Sequence, residues 1–389
     1  MQDRPFILKG NIKVNNFDEY IIGSVIKNDN VDNKECFVQL LDDNNINKFK
    51  RGYKGYIFES KPKDIDLNNL SYCYEINKFK TLINYDVIEI LNDKYIRVLY
   101  RDDSEDNAIV VTNQCNSNCI MCPAPDSIRN SNNNPNIKKL LDLVHCIPND
   151  TKHLTITGGE PGMIKDNLFV LLNECKKYLK ETYFLLLSNG RVFSNKEFTR
   201  KFKQSILPNN IRVAIPIYAD NSDMHDSITR VKGSFMQSVQ GIKNLLAENI
   251  AVEIRIVVLK NNYKYLNDIA EFIVTELPNV KLVNIMAQEV MGNAFKNKDI
   301  VWISFDKLTN YLYNACITLI KNGINTNLYN FPLCNIDKRL YSIAKKSISD
   351  YKVRYKNECN ECIMKKECGG FFFSTINVEG LKVNPIKFR

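Results

Sequence analysis

The sequence predicts an α/β chain: an open, partial barrel of six β/α units, with a small β-rich domain before it and a Cys-rich domain after it. Three observations predict this. Short strand-like runs follow one another up to about residue 105, separated by Asn, Asp and Lys turns. From 107 to 286, apolar strand-like runs alternate with helical stretches. Beyond 300 the last 60 residues hold four cysteines, three of them within ten positions. The expected boundaries are 1–105, 106–300 and 301–389.

The N-terminal runs are EYIIGSVI, CFVQLL, YKGYIFE, DVIEIL and YIRVLYR. They carry no chemical motif. The alternating part begins with NAIVVT, a strand that runs straight into three cysteines, and a helix follows near 136–147. Then come a strand at 153–157, a helix at 165–179, and strands at 183–188 and 211–218. A helix at 233–248 leads into AVEIRIVVL, and one at 264–276 leads into VKLVNIM. Six units fall short of the eight of a closed barrel of about 250 residues, so an open sheet with right-handed crossovers is expected. Helices are expected at 304–322 and near 335–349. The Asn-rich run at 130–136 reads as a mobile loop.

Composition narrows the class. Hydrophobic residues make up 44% of 389, enough for a sizeable core. The net charge of +9 comes from 53 Lys and Arg against 44 Asp and Glu, without a dense basic stretch. A solvated Lys-rich surface accounts for it, and nothing favours a nucleic-acid partner. No run of 18 apolar residues exists to span a membrane. The N-terminus lacks a signal-peptide pattern, so a cytoplasmic location is expected. Twelve cysteines in a reducing compartment point to metal or catalysis rather than disulfides. Cys36, Cys73, Cys146, Cys175 and Cys316 lie scattered among apolar residues and read as core thiols. The other seven form two groups.

The first is TNQCNSNCIMC, with Cys115, Cys119 and Cys122 directly after the first strand of the alternating part. Loops after strands form the active face of a parallel β/α barrel. Three thiolates on a [4Fe–4S] cube leave one iron free to be chelated by a small molecule. A zinc ion completed by a ligand from elsewhere is the rival reading. The next strand ends in TGGEPG. Gly158 and Gly159 allow close backbone approach, and Glu160 can accept hydrogen bonds from an ammonium group. The third strand ends in LSNG, which offers Ser188 at the same face. Arg255 stands inside an apolar strand, either facing a carboxylate or ribose within the barrel or facing solvent at an edge.

C-x3-C-x2-C, GGEP and S-N-G, in this order and spacing, resemble the radical S-adenosylmethionine (SAM) enzymes. The resemblance implies a [4Fe–4S] cluster that passes one electron to SAM, giving a 5′-deoxyadenosyl radical that abstracts hydrogen from an unactivated C–H bond. It implies that Cys115, Cys119 and Cys122 hold the cluster and that Glu160, with Gly158 and Gly159, receives the methionine amino group. Ser188 and Arg255 would meet the ribose or carboxylate, and the backbone near Met286 the adenine.

The second group is Cys334, Cys359, Cys362 and Cys368, spaced C-x24-C-x2-C-x5-C. Four cysteines suit zinc or an iron–sulfur cluster. The spacing resembles the twitch and SPASM extensions of peptide-modifying radical SAM enzymes, and four cysteines fit one auxiliary [4Fe–4S] cluster in a twitch-like domain. Between the groups, His225 and Asp226 precede a helix. They read as acid–base machinery or, more simply, as a cap.

VTNQCNSNCIMC, IPIYADNSDMHD, KSISDYK and ECNECIMKKECGGFF together resemble the His-Xaa-Ser system radical SAM maturase of the C type, over about residues 85–375. That resemblance implies a ribosomally made precursor peptide rich in His-x-Ser units as substrate, a partner radical SAM enzyme and an external one-electron donor. Crosslinking of side chains is the outcome it suggests. Radical SAM enzymes acting on a nucleotide, a tRNA or another small molecule are the alternative.

Overall fold

The computed structural model describes residues 4–14, 19–27, 31, 34–91, 94–131 and 134–387. The Asn-rich run therefore lies partly outside the described residues, at 132 and 133. Contacts divide the chain into two compact units, residues 1–111, 135–156 and 166–184, and residues 112–134, 157–165 and 185–389.

The first unit opens with β1 (Ile7–Lys9), β2 (Asn11–Lys13), β3 (Tyr20–Ile26), β4 (Phe37–Leu41), β5 (Gly55–Phe58), β6 (Tyr72–Tyr74), β7 (Val87–Leu91) and β8 (Tyr95–Tyr100). Their order is β1-β8-β7-β3-β4-β5-β6-β2. β1 pairs with β8 and β2 with β6, and Gly10 alone separates β1 from β2. One continuous segment thus bridges both ends of the sheet. Five of the eight strands are legible in sequence. β1, β2 and β6 have three residues each, too short for alternation to register. Leu8, Ile21, Val38, Ile57, Ile88 and Ile96 fill the interior.

A second sheet contains β9 (Ala108–Val110), β10 (His153–Thr157), β11 (Tyr183–Leu187), β12 (Ile211–Pro216), β13 (Ala251–Val258), β14 (Leu282–Ala287), β15 (Asn325–Tyr329) and β16 (Ala344–Lys345), in chain order. Pairing from β12 to β16 is parallel. The expected parallel series is present and continues for two strands more. β17 (Val353–Arg354) and β18 (Phe371–Phe372) make a small antiparallel pair.

The helices are α1 (Asp126–Arg129), α2 (Ile137–Cys146), α3 (Asp166–Tyr178), α4 (Lys196–Gln204), α5 (Ser222–Thr229), α6 (Ser234–Ala247), α7 (Leu266–Glu276), α8 (Asn293–Lys296), α9 (Lys298–Val301) and α10 (Thr309–Lys321). Their asparagines have a use. Asn136, Asn195 and Asn221 cap α2, α4 and α5 by accepting from backbone N–H groups of the first turn. In α7, Leu266, Ile269, Ala270 and Ile273 bury one stripe at helical spacing. The helix expected near 335–349 is not formed. A 3₁₀ turn at Lys338–Ile343 leads directly into β16. Leu340, Ile343 and Ile348 are spaced as on one face of an α-helix, but parallel pairing of Ala344 and Lys345 with β15 takes the backbone instead.

β13 shows how the sheet splits its faces. Val252, Ile254, Ile256 and Val258 are buried, while the alternate positions carry Glu253 and Arg255. Arg255 lies in register with Asn284 of β14, which lies in register with Asn327 of β15, so a polar row crosses three strands. Among the described residues, no helix is long and apolar enough to cross a membrane.

Candidate functional site

The site is built on the loop from Thr112 to Cys122, in the second unit. Asn134 accepts from Asn113 N at 2.7 Å and shares a hydrogen bond with Thr112 Oγ1 at 3.0 Å. The TGGEPG turn lies against the same backbone. Gly159 N donates to Thr112 O and Glu160 N to Gln114 O, each at 2.8 Å. A Cβ at Gly158 (φ 154°) would stand 2.2 Å from Thr112 O, and one at Gly159 2.2 Å from Gln114 O. The two glycines are therefore required by the approach of two chain segments, whatever ligand they also admit.

Glu160 is 1% exposed. Its Oε1 accepts from Ser188 Oγ at 2.8 Å and Gly162 N at 3.0 Å, and its Oε2 from Asn189 N at 2.6 Å. An ionised carboxylate has about four acceptor positions, so one remains on Oε2. Burial raises the Glu160 pKa, and these hydrogen bonds oppose the rise. Ser188 spends its hydroxyl on Glu160 and also accepts from Gly190 N at 3.0 Å.

The cysteine loop is gripped from several sides, by residues the sequence reading did not single out. Asn189 Nδ2 donates to Asn116 Oδ1 at 2.6 Å, and Arg191 Nη1 donates to Asn116 O at 2.7 Å. Arg129, 8% exposed, donates to Ser117 O at 3.0 Å and Asn118 Oδ1 at 2.5 Å and pairs with Asp126. The end of α5 pairs with the loop through Asn118 N to Thr229 O and Ile120 N to Ile228 O. After β14 the chain returns to the loop. Asn293 N donates to Cys122 O at 2.8 Å, its Nδ2 reaches Cys119 O at 3.2 Å, and Asn297 Nδ2 reaches Ile120 O at 2.8 Å. Gly292 (φ 57°) passes so close to Pro123 O that a Cβ would sit 2.3 Å from it.

Cys115, Cys119 and Cys122 stand within electrostatic reach of one another, and Ser117 N donates to Cys115 Sγ at 3.4 Å. Burial raises the Cys115 thiol, and burial, with its two neighbours, takes Cys119 to about 12. Such thiols ionise when a cation binds and releases their protons. Tyr218, Ile120, Met121 and Ile228 pack around Cys119.

Asp226 accepts from Gly233 N, Ser234 Oγ and Phe235 N and so caps α6. His225 is 1% exposed, and its Nδ1 accepts from Tyr218 N at 3.3 Å. Burial lowers its pKa to about 4. A neutral, enclosed imidazole is a framework part here, and the simpler reading of the pair holds.

Arg255 Nε donates to Glu253 Oε1 at 2.7 Å, so the carboxylate it meets is the protein's own. Glu253, 3% exposed, is also 3.7 Å from Arg212. Met286 sits two residues beyond Asn284, on the same face of β14. Just past the strand, Gln288 is buried with neither amide atom partnered, and Asn284 Nδ2 is likewise unpartnered. Buried polar atoms of this kind mark places for a ligand or an ordered water.

The second group converges independently. Cys334, Cys359, Cys362 and Cys368 line one pocket of about 320 Å³, open solvent included, with Tyr355 and Phe371. Leu333 N and Gly370 N donate to Cys368 Sγ and Ile386 N to Cys362 Sγ, each at 3.4 Å. Burial raises Cys334 to about 11 and raises Cys359 as well. Among the described residues, no group of three or more His, Cys, Asp or Glu side chains is arranged to hold one metal ion. A cubane does not ask for that arrangement. In a cluster each of the four thiolates would bind a different iron.

Part of the chain is similar to known proteins. The family model described as Radical SAM superfamily matches residues 109–273. The antilisterial bacteriocin subtilosin biosynthesis protein AlbA of Bacillus subtilis is 29% identical over 166 residues, 41% of this chain and 35% of the relative. The sporulation killing factor maturation protein SkfB of the same organism is 27% identical over 168 residues, 41% of this chain and 37% of the relative. The chain thus spans little more than a third of these relatives' length. Streptococcus suis SuiB bound to precursor peptide SuiA aligns with TM-score 0.46 and 15% identity, over 57% of this chain and 47% of that one. Residues 109–273 are thus similar to the radical SAM superfamily, a family that implies a [4Fe–4S] cluster and SAM.

Proposed function

We propose that this chain is a radical SAM peptide maturase. It uses a 5′-deoxyadenosyl radical, generated from SAM by a reduced [4Fe–4S] cluster, to modify and crosslink side chains of a ribosomally made precursor peptide. The observation that carries the reading is the convergence of three motifs in one hydrogen-bonded cluster: the cysteine loop, the Glu160 turn and Ser188–Arg191.

In this reading Cys115, Cys119 and Cys122 hold three irons of the first cluster and leave the fourth for SAM. Glu160 offers its remaining acceptor position to the ammonium group of SAM, and Ser188 holds the carboxylate in place from behind. Gly158 and Gly159 keep the turn tight against the cysteine loop. Arg255, oriented by Glu253, and the β14 backbone at Met286 line the rest of the SAM pocket. Cys334, Cys359, Cys362 and Cys368 hold an auxiliary [4Fe–4S] cluster, and the pocket they share supports this. Four thiolates leave it no open iron, which favours electron transfer over substrate chelation. The twitch-like domain that contains it runs from 301 to 389, after a core at 106–300 and an N-terminal domain at 1–105.

The peptide substrate is supported by the names of AlbA and SkfB, proteins of bacteriocin biosynthesis and killing-factor maturation. The motifs that resemble the His-Xaa-Ser maturases suggest His-x-Ser units in it. They also suggest a partner radical SAM enzyme, an external one-electron donor and a cytoplasmic setting. The test is anaerobic reconstitution followed by reduction with dithionite in the presence of SAM. Expected are about eight irons per chain, two cubes' worth, and release of 5′-deoxyadenosine. Replacing Cys115, Cys119 and Cys122 together by Ala halves the iron and abolishes release. Release unaffected by the triple change overturns the reading. A His-x-Ser peptide that loses hydrogen mass in the complete reaction, while a shuffled peptide does not, supports the substrate assignment.

A further inference from the structure

Two of the five cysteines read as core thiols face each other. Cys36 closes a 3₁₀ turn (Lys34–Cys36) just before β4 and is partly exposed. Cys146 is the last residue of α2 and is buried. The Cys146 thiol lies 3.6 Å from the carbonyl oxygens of Cys36 and Ile22. Both residues belong to the first compact unit. Cys36 therefore departs from the core reading, because one side of it meets solvent while the other meets a second thiol.

We propose that Cys36 and Cys146 are a thiol–disulfide exchange site, in which Cys36 is attacked from solvent and Cys146 resolves the adduct into an internal disulfide. The surroundings suit that division. A hydrogen bond from the Cys146 thiol lowers the Cys36 pKa, and the nearby Lys54 ammonium helps, against the opposing effects of burial and of Glu35. The same hydrogen bond and burial raise the Cys146 thiol, so it stays protonated until its partner has reacted. Cys73, Cys175 and Cys316 have only burial as their main influence, which raises all three and leaves them inert.

The step balances with a low-molecular-weight disulfide as oxidant. The Cys36 thiolate attacks one sulfur of glutathione disulfide, that S–S bond breaks, and one glutathione thiolate leaves. Cys146 then loses its proton to water and attacks the Cys36 sulfur, expelling the second glutathione. Two protein thiols are oxidised, one disulfide is reduced to two thiols, and the two protons end on glutathione. The bond ties the 3₁₀ turn before β4 to the end of α2.

The experiment uses the iron-loaded full chain, kept anaerobic in a glutathione buffer made progressively more oxidising. Alkylation and peptide mapping follow the twelve cysteines. The wild type is expected to lose two alkylatable thiols, recovered as a Cys36–Cys146 peptide. Cys146→Ser is expected to trap glutathione on Cys36, and Cys36→Ser to take up none at Cys146. Oxidation should raise the wild-type Tm by on the order of 5 °C and leave that of Cys36→Ser unmoved. Iron content and circular dichroism establish that both variants are folded. Should Cys36 stay fully alkylatable while exposed surface thiols of a control protein react, or should Cys146→Ser trap no adduct, the proposal is overturned. Because the readout is thiol chemistry, it stands or falls apart from the maturase reading.

Discussion

Cys115, Cys119 and Cys122 sit on a loop whose carbonyls and side chains are held by Arg129, Asn189, Arg191, Asn293 and Asn297. Cys334, Cys359, Cys362 and Cys368 sit on chain with little regular structure, between 3₁₀ turns and a pair of two-residue strands. The contacts there run from backbone N–H groups to the sulfurs themselves. Under the proposed function, the first site is shaped by protein and the second around the cluster assigned to it. That difference follows from chemistry. A site that must leave an iron open needs its geometry fixed by other means, whereas four ligands fix a cluster and are fixed by it.

The largest expected effect breaks the comparison if it fails. Removal of iron by chelation should speed amide exchange around Cys359–Phe372 on the order of a hundred-fold or more, while residues 115–122 change by roughly threefold at most. Hydrogen exchange read by mass spectrometry decides it, and equal acceleration at both sites would mean that the clamps around the first loop hold nothing by themselves.

Next comes Glu160→Gln. Under the proposed function it removes the charge assigned to the ammonium group of SAM, so SAM affinity should fall roughly ten- to a hundred-fold in a calorimetric titration. Stability should fall by about 1–3 kcal/mol, because the new amide NH2 faces one of the three donors that the carboxylate accepted from, Ser188 Oγ, Gly162 N or Asn189 N. Unchanged affinity takes Glu160 out of the site.

Arg129→Met tests the clamp directly. Loss of a buried guanidinium that holds Ser117 O and Asn118 should cost about 2–3 kcal/mol in denaturant unfolding and weaken SAM binding, with iron at the second site retained. A variant of wild-type stability would show the grip to be redundant.

The smallest effect concerns His225, below the same loop. Its folded pKa, about 4, lies under the ordinary 6.5. The unfolded chain therefore binds the extra proton between these values, and stability is full above pH 6.5 and declines as pH falls toward 4. His225→Gln keeps an acceptor for Tyr218 N and should flatten that slope, by roughly 3 kcal/mol across the window. Parallel curves for the two proteins would assign the acid lability elsewhere.

Much of this was readable in advance because it is local. Strands such as AVEIRIVV and helices such as 266–276 announce themselves by period, and the cysteine spacings and GGEP by their rarity. What was not readable is long-range. Asn293 and Asn297 act on a loop more than 170 residues earlier. An asparagine that bonds a distant carbonyl looks like any asparagine in an Asn-rich chain. Gly292 was the available signal: a glycine two residues after the apolar Val290, where the backbone must turn with positive φ. Glu253 escaped because a lone charge in an apolar strand drew attention to Arg255 instead of to the pair. The helix expected near 335–349 failed because pairing with β15 competes for the same backbone.

The short segment from Gln288 to Asn293 touches the frameworks of both cysteine sites. Glu289 pairs with Lys352 at 3.3 Å, Val290 N donates to Thr375 Oγ1 at 3.1 Å, and Asn293 N donates to Cys122 O at 2.8 Å. Anyone who would exchange the C-terminal cysteine region for that of another protein must therefore cut before residue 288, not at the end of the barrel helices. A graft joined later keeps a hinge fitted to a door that has been removed: Glu289 and Val290 would stay behind without Lys352 and Thr375.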